Sequence, residues 1–251
     1  MKIVVLGSGS AYSSRSRHNS CYFVEAGGEN FLLDCGSDAM RAMQDAGIDF
    51  FAVDRIFITH MHADHSAGLP AVLTAMHVLE RKKSLTVYIP FSQIEFARLW
   101  LANMFIYNGR MSFDVTLVPL HPGALKFEDV ELEFSKTRHL EKYSKHAEAF
   151  GIVPLSFSVI VREGAKKFFF SSDLASLDEV KNMLDGGVSF VESTHPSLEE
   201  VAALSRSSDM DVYFTHIPME LEDGGGWRGE LKTKFGIAKM NSVSDGQVIV
   251  L

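Results

Sequence analysis

Apolar positions along the chain follow two alternating patterns. Short runs rich in β-branched and aromatic residues predict strands at Lys2–Leu6, Cys21–Glu25, Phe31–Asp34 and Arg55–Thr59, with turn signals at Gly7–Ser10 and Gly27–Asn30. Helical spacing predicts a helix over Ser37–Ala46, capped by Ser37 or Asp38 and stopped at Gly47. A second helix is expected over Ala67–Lys82, with Leu69, Val72, Leu73, Met76 and Leu79 on one side. The second half repeats the alternation. Strands are expected at Leu85–Ile89, Val115–Val118, Val130–Phe134, Phe157–Val161, Phe168–Ser171, Val188–Val191 and Val212–Thr215, and helices at Glu95–Phe105, Leu177–Leu184 and Leu198–Leu204. Strands that come both singly between helices and in consecutive runs predict an α/β (α+β) protein whose mixed sheets are covered by helices. No internal repeat or Pro-rich linker interrupts the pattern, so a single domain over 1–251 is expected. Gly224–Gly226 reads as the one clear flexible stretch, and the segment after it carries little pattern.

Composition narrows the class. With 46% hydrophobic and 22% charged residues the chain has the makings of a core, which excludes disorder. No apolar run exceeds four residues, against ~20 for a bilayer span and ~7–15 for a secretory signal. No membrane partner is expected. Two cysteines, Cys21 and Cys35, are too few for a disulfide scaffold and predict a cytoplasmic protein. A net charge of −8 argues against a general nucleic-acid coat but leaves room for one local basic pocket.

The candidate chemistry is concentrated in Thr59-His60-Met61-His62-Ala63-Asp64-His65, directly after a predicted strand. Imidazole and carboxylate are the usual ligands of a catalytic zinc ion that keeps one position open for water. Four such groups on one turn are more than one small tetrahedral site with room for water can hold, so two adjacent metals are expected. A solvated polar loop is the bland alternative, disfavoured by four potential ligands within six residues. Further candidates stand at the ends of predicted strands, at His139, Asp173 and His216. Each alone is weak; together with the turn they complete a dinuclear set.

The T-H-x-H-x-D-H motif resembles that of the metallo-β-lactamase fold superfamily of metal-dependent hydrolases, and the resemblance extends over roughly residues 1–218. It implies a four-layer αββα sandwich with the dinuclear site at one edge of two mixed β-sheets. His60, His62 and His139 would then hold the first metal, Asp64, His65 and His216 the second, and Asp173 would bridge them. FLLDCG is similar to the family's first motif, whose aspartate, here Asp34, orients the metal-binding loop. Cys35 then needs no metal role and reads as a small buried apolar residue. FFFSSD ending at Asp173, VESTHPSLEEVAAL, YFTHIP and VVLGSGSA resemble motifs of the ribonuclease Z and related phosphodiesterase branch, where Glu192 and His195 match a proton-donating pair.

This sequence departs from the branch in three places. Tyr88-Ile89-Pro90-Phe91 stands where the branch has Gly-Pro, Pro218-Met219 replaces a Ser-Arg pair, and no long Gly/Pro-rich insertion offers a tRNA-clamping arm. The resemblance thus implies a phosphodiesterase acting on a nucleotide, an RNA end or a small diester through a metal-bridged hydroxide. Two divalent ions are implied, most simply Zn²⁺ with Mn²⁺ or Fe open. In that scheme Asp64 orients the water and His195, held as imidazolium by Glu192, protonates the leaving alkoxide. The bland reading of His195 is a residue just ahead of the helix Leu198–Leu204, which Thr194 or Ser197 would cap. Hydrolysis of a thioester, sulfate ester or lactone is the alternative activity, and a non-catalytic metal-binding module the alternative class.

Several other residues carry two readings. Arg15, Arg17 and His18 either grip a substrate phosphate or belong to a solvated loop. Gly7-Ser8-Gly9 fails the dinucleotide fingerprint because Tyr12 takes its third glycine position. Arg81-Lys82-Lys83 reads as the charged last turn of a helix, and His77 and His121 as packing or surface residues. Tyr143 and His146 fall in a stretch that could form a lid. Trp100, Phe105 and Tyr107 fit a helix that packs on its neighbours or forms a homodimer face, as in the family's relatives.

Overall fold

The computed structural model describes residues 1–251 apart from 207–210, 223–226 and 238–239, so the expected flexible stretch Gly224–Gly226 lies outside the described residues. The first half contains β1 (Lys2–Gly7), β2 (Cys21–Ala26), β3 (Glu29–Leu33), α1 (Ala39–Asp45), β4 (Arg55–Phe57), α2 (Ala63–Ser66), α3 (Leu69–Val78), β5 (Leu85–Pro90), α4 (Ile94–Asn103) and β6 (Val115–Leu120). The second half contains β7 (Gly123–Phe127), β8 (Val130–Thr137), α5 (Ser144–Glu148), β9 (Ser156–Glu163), β10 (Lys166–Phe170), β11 (Val188–Glu192), α6 (Leu198–Ser205), β12 (Asp211–Thr215), α7 (Met219–Glu222), α8 (Trp227–Phe235) and β13 (Val248–Val250).

Two mixed sheets result, ordered β13-β1-β2-β3-β4-β5-β6 and β12-β11-β10-β9-β8-β7. The pairs from β3 to β6 are parallel, as are β10-β11 and β11-β12, while β7 to β10 form an antiparallel meander. The period of two along a strand sorts side chains between faces. Ile3 and Val5 of β1 point into the core between the sheets with Tyr22, Phe31, Phe57, Phe134, Val159 and Phe170. Val4 and Leu6 face the other way, into a second core with Met43, Val72, Leu73 and Leu101 of α1, α3 and α4. Strands buried on both faces read as continuous apolar runs. The second sheet is covered in turn: Ile160, Phe169 and Val191 pack on Leu177, Val180 and Leu184, and Phe214 on Val201 and Leu231 of α6 and α8. Helices, sheet, sheet, helices make the αββα sandwich. Among the described residues no helix is long and apolar enough to cross a membrane.

Some local expectations are corrected. The helix expected over Ala67–Lys82 is shortened to α3 and preceded by the unexpected α2, the two separated at Gly68, where a Cβ would lie 2.0 Å from the Gly36 carbonyl oxygen. That close approach seats α2, and with it the metal-motif turn, against the loop after β3. Leu177–Leu184 forms two 3₁₀ turns in place of a helix, and β7 and β13 went unpredicted. Arg81 does not belong to a solvated last turn, because α3 ends at Val78 and Arg81 is buried. Its guanidinium donates to the carbonyls of Phe50, Phe51, Val53, Lys83 and Ser84. All five donors find carbonyl acceptors, which makes the burial affordable.

Candidate metal centre

The parallel strands of both sheets end at one edge, and the candidate residues come from those ends. Asp34 follows β3, and His60 to His65 follow β4. His139 follows β8, Asp173 follows β10, Glu192 closes β11 with His195 just beyond, and His216 follows β12. Three non-glycine residues there hold left-handed backbones: Asp34 (φ 62°), Ser172 (φ 49°) and His216 (φ 50°). Such conformations cost on the order of 1–3 kcal/mol each and persist where surrounding contacts fix them.

The structure brings all seven candidate ligands together. Ligand atoms of His60, His62, His139 and Asp173 lie within 4.8 Å of one another, and so do those of Asp64, His65 and His216. Asp173 stands between the groups with its oxygens divided. Oδ2 lies 3.4 Å from His139 Nε2 and 3.7 Å from His60 Nε2; Oδ1 lies 3.2 Å from His65 Nε2 and 3.6 Å from His216 Nε2. Asp64 Oδ2 is 3.1 Å from His216 Nε2. His60 Nε2 and Asp173 Oδ1 are buried without hydrogen-bond partners. Polar atoms are normally paired when buried, so orphaned ligand atoms converging within 4.8 Å of one another fit bound cations.

Electrostatics separate the two groups. Burial pushes His60 well below its ordinary value, lowers His62, and takes His139 down to about 3. Burial opposes charge on His65 and His216 as well, but carboxylates outweigh it. Asp173 and Asp34 hold His65 well above its ordinary value, and Asp173 and Asp64 raise His216. Asp173 and Asp64 are correspondingly lowered: burial opposes this, and the neighbouring His216 and His65 prevail.

Around the ligands sits a set of orienting contacts. Asp34 Oδ2 lies 2.6 Å from His65 Nδ1, while its Oδ1 accepts from Thr59 N and Oγ1, both at 2.8 Å, and Ser20 Oγ donates to Oδ2. Thr59 Oγ1 also meets Ser172 Oγ at 2.8 Å, tying the turn after β4 to the turn before Asp173. This fixes which His65 nitrogen faces the cluster. Thr59 and Ser172 were not singled out as orienting residues from the sequence. A hydroxyl beside a ligand was the available signal, too common to carry weight.

Glu192 is fully buried and accepts from the backbone N–H groups of Leu174, Thr194 and His195. His195 Nδ1 lies 3.0 Å from both Glu192 oxygens and 3.7 Å from Asp173 Oδ2, and its side chain is 25% exposed, so solvent or substrate can reach it. Of the two caps expected for α6, Ser197 is the one used, in a capping box with Glu200, while Thr194 Oγ1 donates to the His216 carbonyl. Tyr143 of the expected lid stands edge-on to His62, ring centroids 5.9 Å apart. Arg17 Nη1 donates to Ser8 Oγ and the Val243 carbonyl, both at 2.6 Å, an anchoring use of the guanidinium. Arg15 is exposed on the same loop. His77 and His121 make packing contacts, His77 accepting from Ser112 N and His121 stacking on Phe91.

Fold and site together define a metallo-β-lactamase fold protein. The human tRNase Z short form superposes with a TM-score of 0.73 at 19% identity, covering 100% of this chain and 99% of that one. The metallo-β-lactamase fold protein YhfI from Bacillus subtilis gives 0.74 at 18%, covering 99% and 98%. Ribonuclease Z from Archaeoglobus fulgidus is 34% identical over 142 residues, 56% of this chain and 45% of that protein, so the match spans less than half of the relative. More particularly, the chain belongs to the family described as anti-Pycsar protein Apyc1, which matches residues 1–232.

Proposed function

We propose that this chain is a dinuclear metal-dependent phosphodiesterase, working as one domain over 1–251 on a nucleotide, an RNA end or a small diester. The observation that carries this reading is the Asp173 carboxylate divided between two sets of imidazoles, with the Glu192–His195 pair beside it. The ribonuclease Z name of the relatives supports the choice of phosphodiester over other esters. His60, His62 and His139 are assigned to one ion, Asp64, His65 and His216 to the other, and Asp173 to both. Two divalent ions so held supply Lewis acidity at the phosphate and lower the pKa of water toward neutrality. Asp64 orients the attacking water and takes its proton. His195, its Nδ1 held by Glu192, gives a proton to the leaving oxygen, and Arg15 meets the substrate phosphate. The imidazole-rich donor set suits Zn²⁺, with Mn²⁺ or Fe as substitutes; metal analysis of protein purified without added metal decides among them. Both cysteines are free and buried, which fits a cytoplasmic protein. Metal-loaded protein is expected to turn over bis(4-nitrophenyl) phosphate; inactivity with two ions bound, alongside turnover of a thioester or lactone, would move the assignment to that ester class.

The two groups should load differently with pH. A ligating imidazole nitrogen must be unprotonated. His60, His62 and His139 have lowered values, so in the metal-free protein protons compete with metal there only in acid, for His139 near its value of about 3. His65 and His216 have raised values, so metal entering the second group must expel protons, and its affinity falls as pH drops through those raised values. Calorimetric titration of metal-free protein at pH 7, in two buffers of different ionisation enthalpy, should show proton release with one equivalent and little with the other. Equal release by both would contradict this.

A homodimer is proposed through α4 and the residues after it. Phe96 and Leu99 on the helix, and Met104, Phe105 and Tyr107 beyond it, are exposed apolar or aromatic residues on one contiguous segment. Patches of that kind mark association surfaces. Sedimentation should give twice the monomer mass, falling to one in Phe96→Glu/Leu99→Glu; a monomeric wild type refutes the interface.

A further inference from the structure

The segment 241–247 lies beyond the residues matched by the family and runs across the edge of both sheets. At its start it pairs with β12: Phe214 N donates to the Asn241 carbonyl at 2.7 Å, and Val243 N to the Phe214 carbonyl at 3.0 Å. At its end it pairs with β1, where Gly246 N donates to Val5 O and Val5 N to Gln247 O. Asp245 sits between these attachments and faces the loop leaving β1. Its Oδ1 accepts from Ser8 N at 2.9 Å and Ser8 Oγ at 2.6 Å, and its Oδ2 accepts from His18 N at 2.6 Å. One carboxylate therefore holds both ends of the loop 8–18. Arg17 reinforces it from within the loop through Ser8 Oγ and Val243 O.

Ser8 in turn holds the residue after His216. Ile217 N donates to the Ser8 carbonyl at 2.8 Å, and Ser10 N donates to the Ile217 carbonyl at 3.2 Å. These bonds fix the chain directly after His216, whose backbone sits in the left-handed region. A non-glycine residue stays there only if its neighbours hold it. Asp245 is thus two links from a metal-ligand candidate, through Ser8 and Ile217.

We infer that Asp245 is a positioning residue for the half of the centre formed by Asp64, His65 and His216. It acts by locking Ser8 against Ile217, so that His216 keeps its ligating direction. The inference rests on the two-metal reading above.

The test uses the full chain, stripped of metal and titrated with Co²⁺, whose visible absorption reports geometry, with a competing chelator to measure affinity. Wild type is expected to take two equivalents. Asp245→Ala should weaken one equivalent about tenfold or more, as loss of an outer partner of a metal site does, and leave the other unchanged. Asp245→Asn keeps an acceptor for Ser8 but offers none for His18 N–H if the amide nitrogen turns that way, so it should fall between the two. Glu163→Gln is the control for general loosening, because Glu163 holds the Met1 ammonium and Gly27 N at the opposite ends of β1 and β2 from Ser8 and His18. It should lower the melting temperature without separating the two affinities. If wild type and Asp245→Ala take two equivalents with equal affinities, or if both equivalents weaken together as far as in Glu163→Gln, the positioning role is overturned. A wild type that takes fewer than two equivalents overturns the dinuclear reading itself, and this inference with it.

Discussion

Replacing Asp173 with alanine is expected to lower kcat for bis(4-nitrophenyl) phosphate by at least ~10³-fold and to cut the bound metal from two ions to one or none. Removing a single neutral donor from a reaction site already costs ~10²–10³-fold. Asp173 is charged, buried and aimed at both ligand groups. Without it, His65 and His216 lose the largest of the carboxylate contributions that raise them, and both ion positions lose a shared anionic ligand. Asp173→Asn separates charge from shape, since it keeps one oxygen and the volume. It should retain the fold, judged by near-UV circular dichroism, while losing most of the activity. The measurement is steady-state turnover with metal content determined on the same sample. A variant that holds two ions and keeps more than a tenth of the rate would remove Asp173 from the centre, and the proposed activity with it.

The centre was legible because its densest part is local in sequence. Four potential ligands in six residues after a β-branched strand leave few alternatives, and the strand fixes that they emerge at a sheet edge. His139, Asp173 and His216 are each ordinary residues after ordinary strands; what selects them is that β8, β10 and β12 of one sheet end at the same edge as β4 of the other, a fact of sheet packing that periodicity does not contain. The same limit explains the misread elements. Leu177, Val180 and Leu184 stand at spacings that an α-helix and two 3₁₀ turns satisfy equally. Arg81 looked like surface charge because its partners are five backbone carbonyls, which no side-chain pattern announces. Asp245 escaped for a related reason. Its partners Ser8 and His18 lie more than two hundred residues away, in a loop whose arginines drew attention as phosphate contacts.

Removing the His195 imidazole should separate substrates by their leaving groups. A 4-nitrophenolate departs without a proton, so His195→Ala is expected to leave bis(4-nitrophenyl) phosphate turnover within a few-fold of wild type. A diester whose leaving group is an alkoxide, such as a nucleoside ribose oxygen, needs the proton, and there the loss should reach the ~10²–10⁴-fold typical of general-acid help. The contrast depends on the Glu192 carboxylate, which lies 3.0 Å from His195 Nδ1 and is itself held by three backbone N–H groups. Those bonds aim the imidazole, so Glu192→Gln should reproduce the leaving-group dependence in weaker form. It should also cost stability, because one oxygen that accepts N–H groups becomes a donor. A plot of log kcat/KM against leaving-group pKa is the readout: shallow for wild type, steep for His195→Ala. Parallel lines would mean that His195 contributes only packing against His139 and His216, whose rings lie 4.5 and 5.8 Å from its own. In that case the leaving oxygen would have to draw its proton from solvent, and the 25% exposure of the His195 side chain would mark an open approach to the centre, with no acid stationed in it.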